Sequence, residues 1–387
     1  MEIVAAPDSL KGSLSALDAA RLIERGAARV FPDARVRLCP IADGGEGTAR
    51  ALVLAAGGAT ERVEVPGPLG APVWAELGWL DAGAAVVELA QASGLPLVKP
   101  AERDPMAASS FGTGALIARA LDRGARSVVI GIGGSATNDG GMGLLRALGA
   151  RFLTADGTDA PEGGAGLAQV ARVELANLHP ALQSAELTVI CDVTNPLLGE
   201  RGATAVYGPQ KGATAGQLIQ LERGMANYAD RLEAALGRPV RDLPGSGAAG
   251  GVGAALAGAL RARLSPGIDA VLDRVGFDRM LDSADLCVTA EGRLDGQSVA
   301  FGKAVVGVAR RCARRGVPVA VVAGSMGEGA RGLYDIADAS AITCVNAPMT
   351  VEQAMERAGE LFLDAAERGL RLVRAGMAIA IRREGCR

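Results

Sequence analysis

The chain has 387 residues, of which 49% are hydrophobic and only 3% aromatic, so about two to three domains with cores of alanine, valine and leucine are expected. Its 40 basic and 43 acidic residues give a net charge of −3, a near balance that argues against nucleic-acid binding and membrane-surface roles. No apolar run of about 18 residues marks a membrane span, and the start Met1-Glu2-Ile3-Val4 lacks the features of a signal peptide, so a cytoplasmic protein is expected.

The N-terminal residues predict a β–α–β unit. Residues 3–6 form a short apolar strand, and residues 17–30 repeat apolar side chains at spacings of three and four, which is typical of one helix face. Ser15 suits the N-cap of that helix. Residues 36–41 predict a second strand, so the chain begins as an α/β fold.

The pattern changes after Gly57-Gly58, where we place a domain boundary. Residues 60–98 contain strand-like segments between turn signals and no long helix, which predicts antiparallel β-structure. Helix–strand alternation then resumes, with predicted strands at 127–130 and 187–191. Helices are predicted at 114–123, 142–148, 214–236 and 248–264.

From about residue 268 the β–α alternation of the N-terminus returns. The predicted elements are strands at 286–290, 317–322 and 341–345 and helices at 305–315 and 351–369. We therefore predict an α/β fold in which residues 1–58 and 268–387 form a Rossmann-like parallel-sheet domain. Residues 59–267 are predicted to form a second α/β domain inserted into the first.

Polar loops with glycine follow several of the predicted strands. Their chemistry-bearing residues are Asp8, Ser9, Lys11, Asp43, Glu46, Gly133, Gly134, Ser135, Asn138, Asp139, Asp192, Glu291, Arg293 and Asp295. The carboxyl ends of strands form the ligand crevice of an α/β sheet. Glycine lets backbone N–H groups approach an anion, and carboxylates suit Mg²⁺. The loops therefore indicate an enzyme that handles a phosphorylated, metal-bound substrate.

Two glycine motifs come close to familiar nucleotide signatures but miss them. Residues 296–304 resemble a Walker A loop, yet five residues separate the glycines and Ala304 stands where a hydroxyl is needed. Residues 245–250 satisfy GxGxxG, but the preceding segment predicts no strand, so a glycine-rich helix N-terminus is the better interpretation. The single histidine, His179, leaves acid–base chemistry to carboxylates or lysine.

The residue types of the loops suggest individual roles, each with a structural alternative. Lys11 can hold a substrate carboxylate or a transferring phosphoryl group, or can lie in a solvated loop. Asp43 and Glu46 suit Mg²⁺ or a diol, or can favour a helix N-terminus. The carboxylates at Asp192 and Asp295 follow buried strands and can alternatively serve turns.

Taken together and in this order, the loops resemble those of the type I glycerate kinases over nearly the whole chain. The matching segments are 6–13 (APDSLKGS), 42–48 (ADGGEGT), 133–141 (GGSATNDGG), 191–197 (CDVTNPL), 207–212 (YGPQKG) and 291–295 (EGRLD). Leu10 stands where the family usually has phenylalanine, and Ser298 where threonine is common. Both differences are conservative.

The resemblance implies a cytoplasmic enzyme that uses ATP and Mg²⁺ to phosphorylate D-glycerate, with the active site in a cleft between two α/β domains. The family yields 2-phosphoglycerate more often than 3-phosphoglycerate. Under this hypothesis Asp192 is the favoured general base, Asp295 the second choice, and Lys11 the third catalytic residue. Substrate binding falls to Asp8, Ser9, Asp43, Glu46 and Arg293, nucleotide or phosphate binding to Gly133, Gly134, Ser135, Asn138 and Asp139, and metal binding to Asp43, Asp192 and Glu291.

Two other functions stay open at this point. A Rossmann-type hydroxyacid dehydrogenase would need GxGxxG after a true strand and a base such as histidine. A non-catalytic, two-lobed protein that closes on a small acid would commonly be exported. The sequence leaves open the oligomeric state, the stereochemical preference and the nucleotide preference.

Overall fold

The computed structural model describes residues 1–10, 12–41, 47–265, 267–301 and 304–384. The strands are β1 (Glu2–Ala5), β2 (Arg35–Leu38), β3 (Ala59–Pro66), β4 (Pro72–Asp81), β5 (Ala84–Glu88), β6 (Ser127–Gly131), β7 (Arg151–Leu153), β8 (Arg172–Glu174), β9 (Glu186–Ile190), β10 (Arg263–Ser265), β11 (Leu286–Leu294), β12 (Val319–Met326) and β13 (Ala339–Thr343). The helices are α1 (Ala16–Val30), α2 (Thr48–Ala56), α3 (Ala90–Ser93), α4 (Phe111–Asp122), α5 (Met142–Ala147), α6 (Ala203–Tyr207), α7 (Ala215–Leu236), α8 (Ala248–Ala254), α9 (Gly267–Arg274), α10 (Phe277–Leu281), α11 (Gly296–Phe301), α12 (Ala304–Arg315), α13 (Val351–Glu356) and α14 (Ala358–Glu384).

The chain divides into two compact units, and the first combines Met1–Asp43 with Gly267–Arg387. Its sheet has the order β13-β12-β11-β1-β2, with parallel neighbours throughout. The predicted α/β fold class, with a parallel sheet built from both ends of the chain, is confirmed. Because β1 lies between β2 and β11, the strand order reverses beside β1, which is the position where such sheets bind ligands.

The second unit, Gly44–Pro266, contains a mixed sheet of order β10-β9-β6-β5-β4-β3. Strands β5, β6, β9 and β10 are parallel, whereas β3, β4 and β5 pair antiparallel. The antiparallel structure predicted within residues 60–98 is therefore confirmed. Strands β7 and β8 form a separate two-stranded sheet.

Helix α1 shows how local sequence and packing agree in the first unit. The Ser15 hydroxyl accepts a hydrogen bond from the Asp18 N–H at 3.1 Å, which confirms the predicted N-cap. The apolar face of α1, including Ile23 and Ala27, is buried in a core that also contains Phe362 of α14. None of the described helices combines the length and the apolar content needed to cross a bilayer.

Two predicted helices are corrected by the structure. Instead of one helix over 248–264, α8 contains residues in left-handed conformation, among them Gly250 and Gly251, and β10 follows. A Cβ at Gly250 would lie 2.0 Å from the Thr137 carbonyl oxygen, so close backbone packing replaces the helical path. The predicted helix over 351–369 breaks at Arg357 (φ −98°, ψ 13°), and α14 then runs on to Glu384.

Candidate active site

A cavity of about 470 Å³ opens at the carboxyl edge of the first unit's sheet. It is lined by Asp8, Ser9, Leu10, Ser13, Glu291, Gly292, Arg293, Gly324, Ser325, Cys344, Val345, Met349, Thr350, Val351, Ala354, Met355, Ala358 and Leu361. The residues after β1 and at the end of β11 contribute together, so the cavity lies where the strand order reverses. Its size and position are those of a small-molecule site in an α/β protein.

The polar end of the cavity brings together four predicted site residues: Asp8, Ser9, Glu291 and Arg293. The Asp8 N–H donates to the Ala290 carbonyl at 2.9 Å, which fixes the loop after β1 against β11. The Ser9 N–H donates to Asp8 Oδ1 at 2.6 Å. Two carboxylates, a hydroxyl and a guanidinium therefore converge from segments about 280 residues apart in sequence, a juxtaposition that parallel strand pairing explains.

Arg293 is oriented by Asp295. The Arg293 Nε lies 3.0 Å from Asp295 Oδ2, and the Arg293 side chain is 69% exposed against 19% for Asp295. Asp295 Oδ1 accepts the N–H groups of Gln297 and Ser298 at 3.0 and 3.2 Å, which caps the start of α11. Since the carboxylate of Asp295 makes these contacts, its geometry fits a positioning role, and its use as a base stays a prediction.

The apolar end of the cavity comes from the end of β13, from α13 and from the start of α14. Burial raises the pKa of the Cys344 thiol to about 11, so the group is protonated at neutral pH and contributes a weakly polar surface. Sequence reasoning assigned no role to this apolar end, which is called the apolar wall below. Its apolar positions resemble an ordinary helix face in the sequence, and only the fold shows that they meet the polar loops.

In the second unit, the buried side chain of Lys211 contacts the glycine loop that follows β6 (residues 133–141). Its ammonium donates to the Ser135 hydroxyl at 2.8 Å and to the Thr137 carbonyl at 2.6 Å, and its side chain is 2% exposed. Sequence reasoning missed this role, although Lys211 lies in segment 207–212, which resembles the glycerate kinase loops. The available signal was a lysine between glycines that shape a tight turn: Gly212 has φ +97°.

Asp139 and Asn138 also face the interior. Asp139 is fully buried, and its carboxylate accepts the N–H and hydroxyl of Ser110, both at 2.8 Å, and the N–H groups of Gly141 and Gly143 at 3.1 and 3.2 Å. Burial raises the pKa of Asp139, while these donors oppose the shift. Asn138 donates to the Thr204 hydroxyl at 3.0 Å. Contact between these two side chains and a nucleotide stays a prediction. In the same loop, Gly133 is partly exposed to solvent and Gly134 is exposed.

Four predicted site residues remain to be placed: Lys11, Asp43, Glu46 and Asp192. Asp192 follows β9 in the second unit, and its side chain is exposed. An acid–base residue must be accessible to its substrate, so the exposure is compatible with that role, which stays a prediction. Lys11, Asp43 and Glu46 lie outside the described residues. A further carboxylate, Glu88, was missed by sequence reasoning: it is buried at the end of β5 and accepts the N–H groups of Gly47 and Ala49 at 2.8 and 3.2 Å.

The donor set of the polar end fits Mg²⁺. In the described parts of the chain no cluster of three or more acidic, cysteine or histidine side chains is arranged to hold a metal. Mg²⁺ bound with a nucleotide needs only one or two protein carboxylates, because phosphates and water complete its coordination. Glu291 and Asp8, which line the same cavity, meet this requirement.

Lys211 is expected to make stability depend on pH. Burial lowers the pKa of Lys211 from 10.5 to about 7, while the negative charge of Asp139 opposes this shift. A second cationic side chain is nearby, because the Arg103 guanidinium donates to the carbonyl of Gln210, the residue before Lys211. Between about pH 7 and 10.5 the unfolded lysine binds a proton that the folded one does not, so this group makes the free energy of unfolding rise with pH. The slope is at most about 1.4 kcal/mol per pH unit, and below pH 7 the contribution is constant.

Denaturant titration of the wild type and Lys211→Met across this range measures the effect. Both tryptophans, Trp74 and Trp79, belong to the second unit and report its unfolding by fluorescence. The wild-type value minus the variant value is expected to rise from pH 7 to pH 10. A difference that stays constant would contradict the assignment of a lowered pKa to Lys211.

Comparison with known proteins agrees with the resemblance found in the sequence. The sequence profile described as the glycerate kinase family matches residues 3–374. A glycerate kinase from Halalkalibacterium halodurans is 45% identical over 372 residues, which cover 96% of this chain and 97% of that protein. The Escherichia coli K12 protein named glycerate 2-kinase is 45% identical over 327 residues, which cover 84% of this chain and 86% of that protein. A crystal structure from Salmonella typhimurium LT2, provisionally named glycerate kinase 2, has a TM-score of 0.87 and 44% identity, and covers 98% of this chain and 99% of that chain.

Proposed function

The chain therefore belongs to the glycerate kinase family, and we propose that it transfers the γ-phosphoryl group of ATP to D-glycerate to form 2-phospho-D-glycerate. Membership makes it a phosphotransferase with an alcohol group as acceptor. Transfer to the 2-hydroxyl is supported by a relative, 45% identical, that is named glycerate 2-kinase. The 3-hydroxyl is the alternative acceptor.

One observation carries the proposal for the site: an oriented arginine and two carboxylates line a cavity at the point where the strand order reverses. The planar guanidinium of Arg293 matches a carboxylate in a two-point contact, so it is the proposed clamp for the glycerate carboxylate. Asp8 and Ser9 are the proposed partners of the glycerate hydroxyls, because they line the same end. Asp43 and Glu46 stay candidates for the same task.

Phosphoryl transfer requires that the acceptor hydroxyl lose its proton and that the phosphoryl charge be neutralised. Asp192 is the proposed proton acceptor; Asp295 is less suited, because Arg293 and two N–H groups already contact its oxygens. Lys11 is proposed to neutralise the phosphoryl oxygens, and backbone N–H groups of Gly133 and Gly134 are proposed to bind phosphate.

Mg²⁺ would supply charge neutralisation on the nucleotide phosphates when bound. Glu291 and Asp8 fit it best among the described carboxylates, because both line the cavity. Asp43 and Asp192 are further proposed ligands.

The proposed reaction is tested by incubating the protein with ATP, Mg²⁺ and D-glycerate and following the product by ³¹P NMR. The expected result is ADP formation together with a resonance that matches authentic 2-phosphoglycerate. A resonance of 3-phosphoglycerate would correct the position of transfer. No ADP formation, combined with quenching of NADH fluorescence by the protein, would favour the dehydrogenase; binding of D-glycerate without turnover would favour the binding protein.

A further inference from the structure

The apolar end of the cavity carries large hydrophobic side chains that are open to solvent. Val345, Val351 and Met355 are 38%, 70% and 42% exposed, and all three line the cavity. Exposed apolar side chains that gather at one concave site, rather than scatter over the surface, mark a place where a ligand is covered. The apolar end therefore has the character of a ligand-binding surface.

The size of the cavity exceeds what D-glycerate requires. The acid has three carbons and carries polar groups on each of them, so it has no apolar face to offer this wall. A cavity of about 470 Å³ lies within the range that holds ligands of nucleotide size. The polar end at Arg293 is the proposed site of the acid, so the apolar end is left for the other substrate.

The wall is held in a fixed position by local structure. Thr350 and Gln353 form a reciprocal capping box at the start of α13, with hydrogen bonds of 3.2 Å and 3.0 Å. This fixes Val351 as the first residue of the helix. Met355 lies one turn further, where its Cε would be 2.9 Å from a Cβ placed on Gly12. The start of α13 is therefore fixed by its own cap, and the end of the Met355 side chain lies close to Gly12 in the loop after β1.

We infer that the apolar end of this cavity, formed by Val345, Met349, Val351 and Met355, is the subsite for the base of the nucleotide. A purine is a flat ring with two apolar faces, and it gains free energy when both faces leave water. Bound there, it would direct its ribose and phosphates toward the polar end of the same cavity. This inference rests on the proposed function, since it assigns the base of the ATP that the reaction consumes.

Val351→Asp tests the inference with little risk to folding. An acidic residue in the first turn of a helix is favourable, so α13 is expected to form, and circular dichroism checks this. The charge would face the base and remove apolar contact, so KM for ATP is expected to rise about tenfold or more, while KM for D-glycerate stays nearly unchanged. The control is Leu372→Asp on α14, whose side chain is 71% exposed outside the cavity and which should leave both constants as in the wild type.

Saturation-transfer NMR with adenosine measures contact with the base without any turnover. The full-length wild type and Leu372→Asp are expected to transfer saturation to the adenine protons, and Val351→Asp is expected to lose the transfer. A wild type that gives no transfer, or a Val351→Asp variant that raises KM for D-glycerate instead of ATP, would overturn the inference. If the wild type formed no ADP with D-glycerate, the proposed function would fail, whereas transfer that Val351→Asp abolishes would still support the base subsite.

Discussion

Asp139→Ala is expected to lower the free energy of unfolding of the second unit by about 3–5 kcal/mol. The fully buried carboxylate accepts four hydrogen bonds, and alanine would leave the N–H groups of Ser110, Gly141 and Gly143 buried without that partner. It would also remove the negative charge beside the Lys211 ammonium. Guanidinium titration followed by tryptophan fluorescence measures the loss.

The matched control is Asp159→Ala in the same unit. The Asp159 side chain is 60% exposed and pairs with Arg151 on the surface, so its removal should cost about 1 kcal/mol or less. Asp139→Asn keeps the shape of the side chain and should fall between the two. Equal stability of Asp139→Ala and Asp159→Ala would show that the buried carboxylate does not hold the glycine loop.

Arg293→Ala is expected to raise KM for D-glycerate by about a hundredfold, because a charge-assisted contact to a carboxylate is lost. KM for ATP should change far less, since the proposed contact is to the acid substrate. Arg293→Lys should recover only part of the loss, because an ammonium lacks the two-point geometry of the guanidinium. Initial-rate kinetics with each substrate varied in turn separates the two constants.

Arg331→Ala provides the control for this prediction. Arg331 is also exposed and also belongs to the first unit, but it does not line the cavity, so both constants should match the wild type. Folding is checked by thermal unfolding of each variant. An Arg293→Ala enzyme with an unchanged KM for D-glycerate would remove the clamp from the proposed mechanism.

Much of the first unit was predictable because short-range signals agree with its topology. Apolar strands alternate with amphipathic helices, and β–α–β connections make the strands parallel. From this rule alone, Asp8 and Glu291 were expected near one edge of one sheet, and they line the same cavity. Polar residues at strand ends were therefore a reliable guide to the polar half of the site.

The sequence did not predict contacts that depend on distant backbone packing. Lys211 reaches Ser135 across 76 positions, and no local pattern encodes that approach. The left-handed residues of α8 follow from the close passage of Gly250 over Thr137, whereas their composition alone favours a helix. The apolar wall of the cavity was hidden for the same reason, because the positions of α13 read as an ordinary helix face.

The pairing of β1 has a consequence for how the protein is made. Ile3 is aligned with Leu286, so during synthesis β1 lacks its neighbour β11 until about 280 further residues have been made. Residues 44–266 emerge in between and contain a complete sheet that can form meanwhile. During translation β1 therefore presents an open hydrogen-bonding edge, which is exposed to pairing with other chains until β11 covers it.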